Sequence, residues 1–67
     1  MYESSNERYV MEVGGRSVGL LVSDHSRYTF YAADKTALSL DRKDFASPEA
    51  AQRAVDAVVR PKLKRQS

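Results

Sequence analysis

The sequence predicts an α+β domain: a three- to four-stranded antiparallel β-meander with one C-terminal α-helix packed on one face. Two observations carry most of that reading. Gly14-Gly15 separates the strand-like runs YVMEV and SVGLLVS, and SPEAAQRAVDAVV opens on a helix-start signal and continues with an apolar arc. A third is the aromatic run RYTFYAA, which follows the turn-forming DHSR. Sixty-seven residues make one domain, and a chain of this size buries only about 60% of the surface its unfolded form exposes.

The paired glycines predict a hairpin because tight two-residue turns need positive φ. Closing on Gly14-Gly15 pairs Val13 with Arg16, Met11 with Val18 and Tyr9 with Leu20, which gathers large apolar groups on one face. Asp24 and Ser26 favour the next turn. A three-residue loop there sets Val22 against Tyr28 and Leu20 against Phe30, so Tyr28, Phe30 and Ala32 face the core. That register is preferred because Phe has no polar atom to satisfy. DKTA reads as a further turn, Leu38 to Asp41 as a short fourth strand, RKD as a polar connection and Phe45 as a cover for the end of the core.

Ser47 is a good N-cap, Pro48 suits the first helical position, and Glu49 lies where the helix dipole favours negative charge. At 100° steps Ala50, Ala51, Ala54, Val55, Ala57 and Val58 form the apolar arc, with Glu49, Gln52, Arg53, Asp56 and Arg60 opposite. Pro61 disfavours helix at the preceding residue, which places the helix end near Val59. The domain organisation is thus a disordered lead-in over residues 1–7, a single β-β-β-β-α domain over 8–60, and a basic flexible tail over 61–67.

Charge sharpens that division. Residues 1–59 hold seven basic and nine acidic residues, a formal net charge of −2, whereas Arg60, Lys62, Lys64 and Arg65 lie in an end segment without an acid. With no cysteine there is no disulfide, no thiolate metal site and no cysteine nucleophile, and a reducing compartment fits, with the cytoplasm as the expected location. MYESSNERY lacks the basic and apolar runs of a secretory signal, and no stretch approaches the length of a membrane span.

Nothing in the motifs points to catalysis. His25 is the one histidine, and its neighbours Asp24 and Ser26 are adjacent in a turn, where side chains do not converge as a triad requires. One histidine and scattered acids offer no metal-ligand spacing. Gly14-Gly15 lacks both phosphate-loop patterns and precedes a strand. Asp41 and Asp44 alternate with Arg42 and Lys43, as in a solvated connection. The expectation is a protein with no catalytic, cofactor-binding or metal-ligating residues.

The remaining candidate is the sheet face away from the helix. In this register it carries Val10, Glu12, Ser17, Gly19, Leu21, Thr29 and Tyr31, with Val10, Leu21 and Tyr31 as an apolar interface for a protein partner or a second copy. The alternative is nucleic-acid binding through the end segment and strand arginines: Arg8, Arg16, Arg27, Arg60, Lys62, Lys64 and Arg65.

Two resemblances bear on this. From Gly15 to Val58, with GRSVG opening a strand, RYTFYA in the next and DFASPEAAQRAV leading into the helix, the chain resembles small uncharacterised bacterial proteins whose meander ends in an F-x-S-x-x-x-A-x-x-A helix. That resemblance implies a fold and a bacterial source, and no activity. The element order is also similar to plant ethylene-response-factor DNA-binding domains, whose exposed sheet face enters the major groove through arginines and tryptophans. The present sequence has no Trp and offers Glu12, Ser17 and Gly19 on that face.

Overall fold

The computed structural model describes the backbone of residues 7–65 and the side chains of residues 7–63. Strands β1 (Arg8–Val13), β2 (Arg16–Asp24) and β3 (Arg27–Ala32) form a meander, a 3-10 helix spans Lys35–Leu40, strand β4 (Asp44–Phe45) follows, and helix α1 covers Pro48–Arg65. The sheet is antiparallel in the order β1-β2-β3-β4. Helix α1 and the 3-10 helix close over one face of it, giving the α+β meander with a C-terminal helix.

The first turn forms as its glycines require. Gly14 and Gly15 have φ of 61° and 80°, positive at both central positions, and Val13 pairs with Arg16 across them. The alternation then breaks. Glu12 pairs with Ser17 but Met11 pairs with Gly19, so Val18 is an extra residue in β2 and the ladder shifts by one. Val18 and Gly19 are both buried as a result, and every β2 residue beyond the bulge has the opposite facing from that predicted by simple alternation. The expected pairs Met11/Val18 and Tyr9/Leu20 are replaced by Met11/Gly19 and Tyr9/Leu21.

The second turn compensates for the slip. Asp24 pairs with Arg27 across a two-residue connection, His25-Ser26, instead of the expected three-residue loop. Leu21 therefore pairs with Phe30, and Leu20 with Tyr31. Tyr28, Phe30 and Ala32 still face the core, as the sequence reading required, because bulge and shorter loop cancel for β3. Gly19 has no room for a side chain: a Cβ there would lie 2.3 Å from Phe30 Cζ and 2.6 Å from the Tyr31 carbonyl oxygen.

Residues Leu38 to Asp41 are not the fourth strand. Asp34 stands at the head of the 3-10 helix, where its carboxylate accepts from the Thr36 backbone N–H at 3.1 Å and from the Thr36 hydroxyl. That local bonding favours a helical turn over a strand. Side chains three apart share a face in a 3-10 helix, which buries Ala37 and Leu40 and leaves Leu38 exposed. Asp34 also accepts from Arg16 at 3.2 Å. The Thr36 hydroxyl first, then its amide and the Arg16 guanidinium, hold the Asp34 carboxyl below the usual carboxylate range. The fourth strand is instead Asp44–Phe45, pairing with Thr29 and Tyr28, and Phe45 packs against the core as expected.

Helix α1 starts where its cap predicts. The Ala50 backbone N–H donates to Ser47 Oγ at 3.1 Å, and that of Ala51 to the Ser47 carbonyl oxygen at 3.1 Å. Ser47→Ala is expected to destabilise the domain by about 0.5–2 kcal/mol, read as a lower urea midpoint with an unchanged folded spectrum. An unchanged midpoint would mean that the cap contributes nothing.

The buried stripe of the helix is Ala51, Val55 and Val59, flanked by Ala54, Val58 and Leu63; Ala57, expected on the apolar arc, is exposed. Nor does the helix end near Val59. It runs through Pro61 to Arg65. Proline lacks the N–H that would bond the Ala57 carbonyl, and Ala57 lies on the exposed side. Beyond it Leu63 packs against the core and Lys62 Nζ donates to the Thr36 carbonyl oxygen at 3.0 Å. Residues 61–65 are therefore helical, beyond the expected domain boundary at residue 60. The expected lead-in lies outside the described residues except for Glu7, whose carbonyl accepts from the Ser23 N–H at 2.8 Å.

The core itself is Met11, Val13, Val18, Leu21 and Phe30 of the sheet against Ala37, Leu40, Ala51, Val55 and Val59. Tyr9 and Tyr28 border it edge to face, with ring centroids 6.2 Å apart.

Candidate interaction surface

The sheet has a second face that neither helix covers. Its side chains follow from the pairing. Val10 stands beside Leu20, and Leu20 beside Tyr31, so the three make one apolar row across β1, β2 and β3. Val10 is 61% exposed and Tyr31 44%, while Leu20 between them is half-buried. In the next row Arg8, Val22, Thr29 and Asp44 stand side by side. The Thr29 hydroxyl donates to Asp44 Oδ1 at 2.9 Å and Arg27 reaches Asp44 Oδ2 at 3.3 Å, which binds the polar end of this face together. The result is a short apolar strip, extended by half-buried Val22, with charged groups at its margin.

Two of the three expected interface residues lie there, Val10 and Tyr31. Leu21 does not. It is fully buried among the core residues, because the bulge at Val18-Gly19 turns it inward and places Leu20 outside. Gly19 likewise faces the core and not the outer surface, with the Phe30 ring across it. Leu20 and Val22, expected inside, are the outer-face residues that alternation missed. The signal was present in the sequence: an isolated glycine inside a strand pattern marks a bulge or a close approach, and Gly19 is both.

The described basic residues of the nucleic-acid alternative are spread over β1, β2, β3 and α1. Arg16 pairs with Asp34, Arg27 with Asp44, and Arg60 with Asp56 at 3.5 Å. Lys62 is directed to the Thr36 carbonyl. Arg8 lies in the outer-face row on β1. Lys64 and Arg65 are in the last turn of α1, and their side chains lie outside those described. Acids thus pair with three of the five positions whose side chains are described, and those three belong to different elements.

His25 sits at the tip of the second turn with φ of 59°, its Nδ1 2.8 Å from Asp24 Oδ1 and its ring almost wholly in solvent. A Ser-His-Asp relay needs a partner on each ring nitrogen and a shielded nucleophile, whereas Ser26 is simply exposed. Among the described residues no three His, Cys, Asp or Glu side chains lie close enough to hold a metal ion, and no helix is long and apolar enough to cross a membrane. On the inner side Tyr9 donates its hydroxyl to Glu7 Oε1 at 2.6 Å, and that bond pushes its pKa up.

Comparison with protein-family models, curated proteins and solved structures finds no match to this chain.

Proposed function

We propose that this protein is a non-enzymatic interaction module that binds another protein chain through the outer face of its sheet. One observation carries the reading: the aligned row Val10, Leu20, Tyr31 lies on the face opposite the helix, with its two ends exposed. Contiguous exposed apolar groups rimmed by polar ones mark binding surfaces. A tyrosine at the end of such a row supplies a large apolar body and a polar tip, a combination enriched at interfaces. The charged margin, Arg8, Glu12, Arg27 and Asp44, would form the rim that sets orientation more than affinity. Absence of cysteine supports a reducing, cytoplasmic setting for this role.

The experiment is affinity capture from the source cells with the wild-type chain and with Leu20→Glu/Tyr31→Ser, both checked for folding by circular dichroism. The double variant is expected to stay folded and to lose its associated protein. A folded double variant that captures the same protein in the same amount overturns the reading. So does a bound species that is nucleic acid and is retained at about 150 mM salt, where weak phosphate contacts are largely lost.

A further inference from the structure

The two edges of the sheet are treated differently. Along β3 the edge is closed by the segment that follows the 3-10 helix. The Ala32 N–H donates to Asp41 Oδ1 at 2.9 Å, the Arg42 N–H to the Phe30 carbonyl at 2.6 Å, and the Phe30 N–H to the Lys43 carbonyl at 2.9 Å. Strand β4, only two residues long, completes that cover. Short edge strands and covered edges prevent further strand addition.

Among the described residues strand β1 has no backbone cover of this kind. The Ser23 N–H to Glu7 carbonyl bond fixes Glu7 and Ser23 as a hydrogen-bonded pair. Bonding then alternates along an antiparallel strand, so Tyr9 and Met11 turn their backbone groups to β2, and Arg8, Val10 and Glu12 turn theirs outward. The Gln52 side chain confirms the direction at one end by donating to the Glu12 carbonyl at 3.0 Å. Among the described residues nothing else bonds this edge. Its six residues, RYVMEV, include no proline or lysine, and the bulge that disrupts the ladder lies on β2.

The side chains of that edge are self-complementary when reversed. Antiparallel pairing of two copies about Val10 sets Arg8 of each against Glu12 of the other, Val10 against Val10, and Tyr9 against Met11. The outward backbone groups of residues 8, 10 and 12 are those such a pairing uses. Among the described residues neither Arg8 nor Glu12 has an ion-pair partner, in contrast to Arg16, Arg27 and Arg60. The apolar row also becomes continuous: Tyr31, Leu20 and Val10 of one copy meet Val10, Leu20 and Tyr31 of the next.

We infer that the partner is a second copy of this chain, joined edge to edge through β1 about a twofold axis at Val10, with the Arg8–Glu12 pair setting the register. The inference rests on the outer face being an interface, and it adds who binds and by which strand. A twofold contact of this kind is closed, because each copy uses the same strand and no further open edge remains among the described residues.

Sedimentation equilibrium of the full chain, from micromolar to submillimolar concentration, tests it. The wild-type mass is expected to rise to that of two copies. Arg8→Glu and Glu12→Arg, each placing like charges opposite each other, should remain single at all those concentrations with an unchanged circular dichroism spectrum. An equimolar mixture of the two variants should regain the two-copy mass, since every opposing pair is then of unlike charge, and should lose it as salt screens the pairs. No merely destabilising effect produces that recovery. A wild-type chain that stays single, or a mixture of folded variants that does not associate, overturns the inference. If the wild type and both single variants all pair equally while Leu20→Glu/Tyr31→Ser does not, the outer face stands as an interface and the β1 edge is rejected.

Discussion

Gly19→Ala is expected to remove a large share of the domain's stability. A Cβ at this position would stand 2.3 and 2.5 Å from two ring atoms of Phe30 and 2.6 Å from the Tyr31 carbonyl oxygen. None of these can move cheaply. Phe30 is fully buried, and the Tyr31 carbonyl belongs to a paired strand in the middle of the sheet. Overpacking a well-filled core costs about 1–3 kcal/mol and occasionally more, and three simultaneous clashes place Gly19→Ala at or above the top of that range. For 67 residues the whole stability is roughly 3–10 kcal/mol, so this single methyl removes a large share of it. Urea unfolding followed by circular dichroism measures the loss. Phe30→Leu in the same chain should recover part of it by shortening the side chain that collides, so that the double variant is more stable than the sum of the two single effects. If Gly19→Ala unfolds at the wild-type midpoint, the Phe30 ring does not lie across Gly19.

That close approach also explains which parts of the fold could be read from the sequence. Features fixed by local chemistry were legible: the positive-φ pair at Gly14-Gly15, the Ser47 cap with Pro48, and the core side of β3. The face of β2 was not, because periodicity of two counts residues and a bulge adds one; after Val18 the same pattern VGLLV describes either face. The segment Lys35–Leu40 was ambiguous for a similar reason. Leu38 and Leu40 alternate as in a strand, yet Ala37 and Leu40 also share a face at a period of three, and the Asp34 carboxylate on Thr36 tips the balance. Pro61 marked a helix end by its own steric rule, but burial of Leu63 and the Lys62 bond to Thr36 hold the last turn in place across it. Of the candidate surface, Val10 and Tyr31 were found and Leu20 was exchanged for its neighbour.

Leu21→Glu and Leu20→Glu are therefore expected to differ far more than two adjacent leucines in a strand would by composition. Leu21 is fully buried between Tyr9 and Phe30, so its replacement removes core packing, an effect of about 2–5 kcal/mol for loss of a large side chain alone. It also places an unpartnered carboxylate in the interior, where no basic side chain of the core can answer it. The two losses together should leave the Leu21→Glu chain unfolded at neutral pH. Leu20→Glu sets its charge in the outer row between exposed Val10 and Tyr31, where the half-buried side chain can turn to solvent, and should cost on the order of 1 kcal/mol, far less than at the buried neighbour. Acid distinguishes the mechanism further. Burial raises the pKa of the introduced carboxyl in the folded state above its unfolded value of about 4.3, so the folded form holds the extra proton and the penalty shrinks as pH falls through the raised value. Urea midpoints of both variants at neutral and mildly acidic pH decide the matter. The bulged register requires a folded Leu20→Glu and an unfolded Leu21→Glu that partly recovers in acid. The reverse order of stability would mean that β2 alternates without interruption, and that Leu21 belongs to the outer face after all.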